Sequence, residues 1–162
     1  MEKVKKMIPN ITLTNILKKA IDKFYQKDGI LLENQIEGME RSCVFRIGIY
    51  LQEFMDELSE FDNLKLDCEY NKNKNETKIL YGNRVIPDLI IHKRKIETEN
   101  KMIAEFKGWW NKDYTDDFDK LKKFTLLHGE YAYQLGVFIK LNERDFELKY
   151  FTNGQEITEH AL

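Results

Sequence analysis

The sequence predicts a single α/β domain in which a central mixed β-sheet is flanked by helices. Three observations support this: a long stretch of helical periodicity in the first third of the chain, two neighbouring runs rich in Val, Ile and Leu within residues 84–107, and a further apolar run at 132–141. A chain of 162 residues, 42% hydrophobic and 33% charged, is large and apolar enough to bury one core. We therefore expect residues 1–162 to form one domain, with residues 1–30 as an N-terminal helical extension.

Two helices are predicted before the first strand. Residues 11–27 repeat apolar side chains at helical spacing, and the pair Asp28-Gly29 ends this helix because glycine readily adopts the left-handed conformation common at helix C-termini. The second helix is predicted over about residues 33–58. Its apolar positions form one arc, made of Ile36, Met39, Cys43, Val44, Ile47, Tyr50, Leu51, Phe54, Met55 and Leu58.

The remaining elements are strands with one further helix between them. Residues 64–70 alternate apolar and polar side chains as a half-buried strand does, and the polar residues 71–78 form a loop. Residues 116–127 predict an amphipathic helix with aspartates in its first turn and lysines later, as the helix dipole favours. Residues 132–141 predict a central strand covered on both faces, and 147–151 a final edge strand, after which Asn153-Gly154 turns the tail outward.

Each of the two central apolar runs carries an acid that an ordinary core strand would exclude. Asp88 follows Pro87 in the first run, and alternation places Glu105 and Lys107 on one face of the second. If the two strands pair, Asp88 and Glu105 converge with Lys107 alongside. Two such carboxylates suit a hard divalent cation, Mg²⁺ or Mn²⁺, which can activate a bound water and neutralise charge on a phosphate. The alternative is an exposed strand face on which Glu and Lys alternate for solubility.

The residues Pro87-Asp88 and Glu105-Phe106-Lys107 resemble the motif of the PD-(D/E)XK nuclease superfamily, whose members share the restriction-endonuclease-like fold. The resemblance covers roughly residues 33–151. It implies a restriction-endonuclease-like core of a helix, a three-stranded meander, a helix and further strands. It also implies that Asp88, Glu105 and the carbonyl of Phe106 bind the metal and that Lys107 is the catalytic lysine.

Glu40 lies within the apolar arc of the second predicted helix. A carboxylate there must be paired, metal-bound or protonated, since burying a bare charge is too costly. The first core helix of the superfamily often supplies an acid to the active site, so Glu40 resembles a further catalytic and metal-binding residue. An internal salt bridge to Arg46 or Arg84 is the alternative.

The resemblance implies a Mg²⁺- or Mn²⁺-dependent nuclease that hydrolyses phosphodiester bonds in nucleic acid, DNA in the first place. The net charge of −2 does not itself indicate nucleic-acid binding, so phosphate contacts would come from local basic positions. The candidates are Lys93, Arg94, Lys120 and Lys123, although such runs are also common on solvated faces. The functional alternatives are an inactive nuclease-fold module that binds nucleic acid or a protein partner, and a hydrolase of smaller phosphate esters.

The sequence also predicts a cytoplasmic location. Residues 7–13 are too short for the apolar core of a signal peptide, and no apolar run approaches the length of a membrane span. Cys43 and Cys68 lack metal or redox spacing, so both are predicted to be buried and reduced. The expected partners are therefore nucleic acid and, as a second candidate, another copy of the chain in a homodimer, with no membrane.

Overall fold

The computed structural model describes residues 7–33, 38–70, 79–80, 83–84 and 86–162. The α-helices in these ranges are α1 (Asn10–Asp28), α2 (Glu40–Asp56) and α3 (Thr115–Phe124). The strands are β1 (Lys65–Cys68), β2 (Ile79–Leu80), β3 (Asn83–Arg84), β4 (Leu89–Lys93), β5 (Ile96–Gly108), β6 (Leu135–Leu141), β7 (Phe146–Thr152) and β8 (Gln155–Ile157). None of the helices in the described ranges is long and apolar enough to cross a membrane.

Six of these strands form one mixed sheet in the order β1-β4-β5-β6-β7-β8. The strands β5 and β6 are parallel, and the other neighbouring strands of this sheet are antiparallel. The parallel pair needs a crossover connection, and this connection contains α3. The strands β2 and β3 pair separately. The predicted fold class, an α/β domain with a mixed sheet flanked by helices, is confirmed at this level.

Helices cover both faces of the sheet. The larger core packs α1 and α2 against strand residues that include Met102, Ala104 and Phe106. The smaller core packs α3 against the other face, where Ile90 and Ile103 point. Alternation along β5 therefore directs Phe106 toward α1 and α2, and directs the residues in register with Ile103 toward α3.

The second helix begins later than predicted. It starts at Glu40 rather than near residue 33 because Gly38 has a φ of 80°, in the left-handed region that interrupts a helix. The predicted arc residue Ile36 lies outside the described residues. Glu40 is therefore the first residue of the helix; it is half-buried and lies on the same face as Val44, Ile47 and Leu51, within the predicted apolar arc.

The predictions for the last strand and for the direction of the C-terminal tail are wrong. The strand β7 is not the last, because Asn153 and Gly154 take φ values of 46° and 76° and form a tight turn that lets β8 pair with β7. The tail therefore folds back instead of turning outward.

The two cysteines differ in burial. Cys43 is buried as predicted, but Cys68 is exposed, since it lies on the edge strand β1.

A cluster of charged side chains links β1 to β4. The Asp67 carboxylate lies 2.7 Å from Nε2 of His92 and accepts a hydrogen bond from Nε of Arg94 at 2.9 Å. Burial acts to raise the pKa of Asp67, but the hydrogen bonds from Arg94 and His92 outweigh burial and hold the pKa below its ordinary value. Ionised Asp67 is therefore stabilised in the folded state.

Replacing Asp67 with asparagine is expected to lower the free energy of unfolding at neutral pH by about 1 to 3 kcal/mol, because hydrogen bonds to a charged group are lost. The folded pKa of Asp67 lies below the unfolded one, so its contribution is present above the unfolded pKa and is lost as the pH falls through the folded pKa. Urea denaturation of both proteins should show a difference that shrinks toward acid pH. A difference that is independent of pH would show that the charge of Asp67 is not its source.

Candidate active site

The pairing of β4 with β5 brings Asp88 beside Glu105. Leu89 pairs with Ala104 in the antiparallel ladder, so Asp88, immediately before β4, lies opposite Glu105. The backbone N–H of Phe106 donates a hydrogen bond to Oδ2 of Asp88 at 2.8 Å, which fixes this carboxylate against β5. The two acids thus converge as the alternation predicts. Their roles as metal ligands, and that of the Phe106 carbonyl, stay predictions.

Glu40 reaches the same end of β5 from the start of α2. Its Oε2 accepts a hydrogen bond from the backbone N–H of Gly108 at 3.2 Å. Arg46, one of its two predicted salt-bridge partners, donates instead to Asp28 at 3.1 Å, and the side chain of Arg84 lies outside the described residues. Glu40 is therefore directed toward the end of β5 and not toward Arg46.

The helix α3 adds two charged residues to this end of the sheet. Nζ of Lys120 lies 3.4 Å from Oε2 of Glu105 and 3.6 Å from Oδ1 of Asp117. Nζ of Lys107 lies 3.4 Å from Oδ2 of the same aspartate. Asp117 is 5% exposed and so lies buried between the two ammonium groups.

The sequence prediction missed Asp117 as a site residue. The sequence pattern places Asp117 only in the acidic first turn of the predicted helix, where the helix dipole favours a negative charge. Yet Asp117 precedes Leu121 by one helical turn and Phe124 by two, so it lies on the buried face of α3. An acid on the apolar face of a helix is the pattern that makes Glu40 a candidate site residue, and the same pattern applies to Asp117.

Burial dominates the electrostatics of the acids. Glu105 is 2% exposed, and its burial, followed by the nearby charge of Asp88, raises its pKa well above the ordinary value. Burial likewise raises the pKa of Asp88 and of Glu40, in spite of the backbone hydrogen bond that each accepts. For Lys120, burial acts to lower the pKa, but the charges of Glu105 and Asp117 outweigh it and the pKa is raised. A further positive charge would therefore be stabilised here.

The cluster, defined as Glu40, Asp88, Glu105, Lys107, Asp117 and Lys120, has more negative than positive groups. Four carboxylates face two ammonium groups, an excess of two formal negative charges. Within the part of the chain that the structure describes, Oε1 of Glu105 and Oδ2 of Asp117 are buried and accept no hydrogen bond. Hard oxygen donors with this excess of charge match the requirements of one divalent cation such as Mg²⁺.

The acids do not form a preassembled metal site. Among the described side chains, no three of the types His, Cys, Asp and Glu are grouped so that they could hold a metal ion. The acids also have partners within the protein: Asp88 accepts from Phe106, Glu40 accepts from Gly108, and Glu105 faces Lys120. A metal bound by Asp88 and Glu105 would lie close to the ammonium of Lys120, which contacts Oε2 of Glu105.

The segment after Lys107 is anchored to the protein interior. Nε1 of Trp109 donates a hydrogen bond to the carbonyl of Leu32 at 2.9 Å, and the rings of Trp109 and Trp110 pack against the larger core. A Cβ atom at Gly108 would lie 2.3 Å from the ring of Trp110, so any larger residue at this position would require that ring to move. The tryptophans therefore cover the core and hold the end of β5 in place.

The four basic residues predicted to contact nucleic acid are divided between two ends of the domain. Lys120 belongs to the cluster, and Lys123 follows it on the same helix. Lys93 and Arg94 lie at the opposite end of β4 from Asp88, about 16 Å away at roughly 3.3 Å per residue. Arg94 is also engaged by Asp67. The structure thus brings Lys120 to the acids but places Lys93 and Arg94 far from them.

Comparisons with known proteins found no match that would help to interpret the cluster. No family model, no curated protein and no solved structure matches the chain. The functional inferences therefore depend on the residues described above.

Proposed function

We propose that the chain is a metal-dependent nuclease that hydrolyses phosphodiester bonds in nucleic acid, with DNA as the substrate. The observation that carries this proposal is the buried cluster, in which four carboxylates face two ammonium groups and Oε1 of Glu105 is buried without a hydrogen-bond donor among the described residues. Burying so many acids is costly for a structural role alone. Grouped residues with shifted pKa values, here Glu40, Asp88, Glu105 and Lys120, are typical of catalytic sites.

The order of the elements also supports this proposal. Apart from the separate pair β2 and β3, which lies between β1 and β4 in the chain, the succession α2, β1, β4, β5, α3 and β6 follows the order that resemblance to the PD-(D/E)XK nucleases implies for their core. Asp88 lies immediately before β4 and Glu105 lies on the neighbouring strand β5, with Lys107 two residues further along β5 on the same face. One fold can carry many activities, so the cluster is the main support for the proposed function and the fold is a secondary support.

In this proposal Asp88, Glu105 and the carbonyl of Phe106 hold Mg²⁺ or Mn²⁺, and Glu40 supplies a further oxygen. The bound ion would lower the pKa of a water molecule and neutralise charge on the phosphate. The backbone of two of these residues is well positioned before binding, because Glu105 lies on β5 between β4 and β6 and Asp88 accepts a hydrogen bond from Phe106. Such rigid placement reduces the reorganisation needed during reaction.

Lys107 is proposed as the catalytic ammonium. It points from β5 toward α3, where Asp117 holds it at 3.4 Å, and its side chain keeps 22% exposure. The ammonium is therefore both oriented and accessible to an anion from solvent. Its expected roles are to orient the attacking water and to stabilise charge that develops on the scissile phosphate.

The proposal is tested by incubating purified protein with DNA or RNA in the presence of Mg²⁺, Mn²⁺ or a chelator. We expect DNA cleavage that requires the metal and is lost in Asp88→Asn, together with weaker Mn²⁺ binding by calorimetry. Asp119→Asn is the matched control, because Asp119 is an exposed acid on α3, and it should cut like wild type.

Two outcomes would contradict the proposal. Equal Mn²⁺ binding by wild type and Asp88→Asn would place the metal elsewhere or nowhere. Salt-dependent binding of duplexes without any cleavage would support the inactive binding module instead. Cleavage of RNA alone would correct the substrate and leave the reaction type in place.

A further inference from the structure

Lys120 lies where a cation is required when no metal is bound. Glu105 is almost fully buried, and Lys120 is the cation that contacts it within the described residues, at 3.4 Å. The same ammonium lies 3.6 Å from Asp117, one helical turn earlier on α3. Because a bare buried carboxylate is costly, Lys120 compensates part of the charge of the cluster.

This compensation is incomplete, and the side chain that provides it is partly open to solvent. An ammonium brings one charge, whereas the cluster has an excess of two negative charges even with both lysines counted. The side chain of Lys120 is 29% exposed, so its flexible stem has access to solvent. If it left Glu105, its ammonium would keep Asp117 as a partner, which lowers the cost of the movement.

We propose that Lys120 is an internal counter-ion that the divalent ion displaces from Glu105, and that the released ammonium then binds the phosphate backbone of the substrate. This inference rests on the proposed function, since it concerns the same cluster. It makes Lys120 a competitor of the metal in the free protein and a substrate contact in the metal-bound protein. Metal and nucleic acid then bind cooperatively, because each favours the same position of Lys120.

The first test is calorimetric titration of Mn²⁺ into wild type and Lys120 variants in the absence of nucleic acid. Lys120→Met removes the positive charge that competes with the metal. It is expected to bind Mn²⁺ about tenfold more tightly, because a nearby positive charge repels the ion and solvent screens this repulsion only in part. Lys120→Arg keeps the charge and should bind much like wild type. Lys120→Gln is titrated alongside, so that the result does not depend on one substitution folding well.

Lys122→Met is the matched control for general electrostatics. It removes the same charge from the same helix at an exposed position, where screening should leave the Mn²⁺ affinity within about twofold of wild type. Tighter binding in both Lys120→Met and Lys120→Gln, but not in Lys122→Met, supports displacement from Glu105. Affinity that is unchanged or weaker in the folded Lys120 variants overturns it.

The second test measures how Mn²⁺ affects binding of a short DNA duplex with hydrolysis-resistant phosphorothioate linkages. In wild type, Mn²⁺ should tighten duplex binding and make its dependence on salt steeper by about one ion, since one more ammonium contacts the backbone. In Lys120→Met that increase in slope should be absent. An equal increase in both proteins would overturn the proposed substrate contact.

Metal binding by wild type distinguishes failure of the proposed function from failure of the proposed role of Lys120. A wild type that binds no Mn²⁺ overturns the proposed function and this inference together. A wild type that binds Mn²⁺ and cuts DNA, with Lys120→Met binding no more tightly, overturns the inference alone.

Discussion

Glu105→Gln is expected to abolish metal-dependent cleavage and, in the same protein, to stabilise the metal-free fold. The amide keeps the size of the side chain but removes a charge that is buried and lies close to Asp88. We therefore expect the metal-free variant to have a higher free energy of unfolding than wild type at neutral pH, because burial and the charge of Asp88 disfavour ionised Glu105. A residue that weakens the fold in the absence of its ligand is consistent with selection for function.

The gain from Glu105→Gln should depend on pH in a definite direction. The folded pKa of Glu105 lies above the unfolded one, so the wild type without metal loses stability as the pH rises from the unfolded pKa toward the folded one. Glutamine does not titrate, so the advantage of the variant should be small at acid pH and larger at neutral pH. Thermal and urea unfolding in chelator measure this difference directly.

Asp67→Asn is the matched comparison, because it replaces another largely buried acid with its amide. Its pKa is held below the ordinary value by Arg94 and His92, so its substitution should destabilise the fold where that of Glu105 stabilises it. Added Mn²⁺ should raise the melting temperature of wild type and Asp67→Asn but not that of Glu105→Gln. A metal-free Glu105→Gln protein that is less stable than wild type would indicate a structural role for Glu105 as the partner of Lys120.

The sequence predicts those features that depend on local periodicity. Alternation in the two central runs is enough to place Glu105 and Lys107 on one face, and the short connection between β4 and β5 makes their antiparallel pairing the simplest topology. The position of Asp88 opposite Glu105 follows from that pairing. The helical arc of α2 likewise predicts its buried side, with Ile47 and Leu51 in the core.

Local periodicity in the sequence does not predict features that depend on long-range packing. The approach of Lys120 to Glu105 depends on how α3 packs on the sheet, which periodicity along the helix leaves open. The later start of α2 depends on the left-handed conformation of Gly38, and the sequence does not show which glycines adopt it. The strand β8 is three residues long and polar in part, so only its pairing with β7 makes it a strand.

Lys107→Met is expected to lower the rate of cleavage by about 10² to 10³ while leaving Mn²⁺ binding no weaker than in wild type. The ammonium is proposed to act on the water and the phosphate, whereas the metal is bound by carboxylates, so the two properties should separate. The fold should be retained, because Asp117 keeps Lys120 as a partner at 3.6 Å after Lys107 is removed. Single-turnover cleavage at saturating Mn²⁺, with calorimetry on the same samples, measures both.

Two comparisons make the result for Lys107 specific. Lys122→Met removes an equal charge from an exposed position of α3 and should cut at the wild-type rate. Lys107→Arg restores the charge with a wider, planar group, so it should recover part of the rate if charge alone matters and little if the position of the ammonium matters. If Lys107→Met cuts as fast as wild type while Asp88→Asn is inactive, the acids remain the metal site and the stabilising cation must be another residue. Lys120, the other ammonium held by Asp117, is then the one to replace.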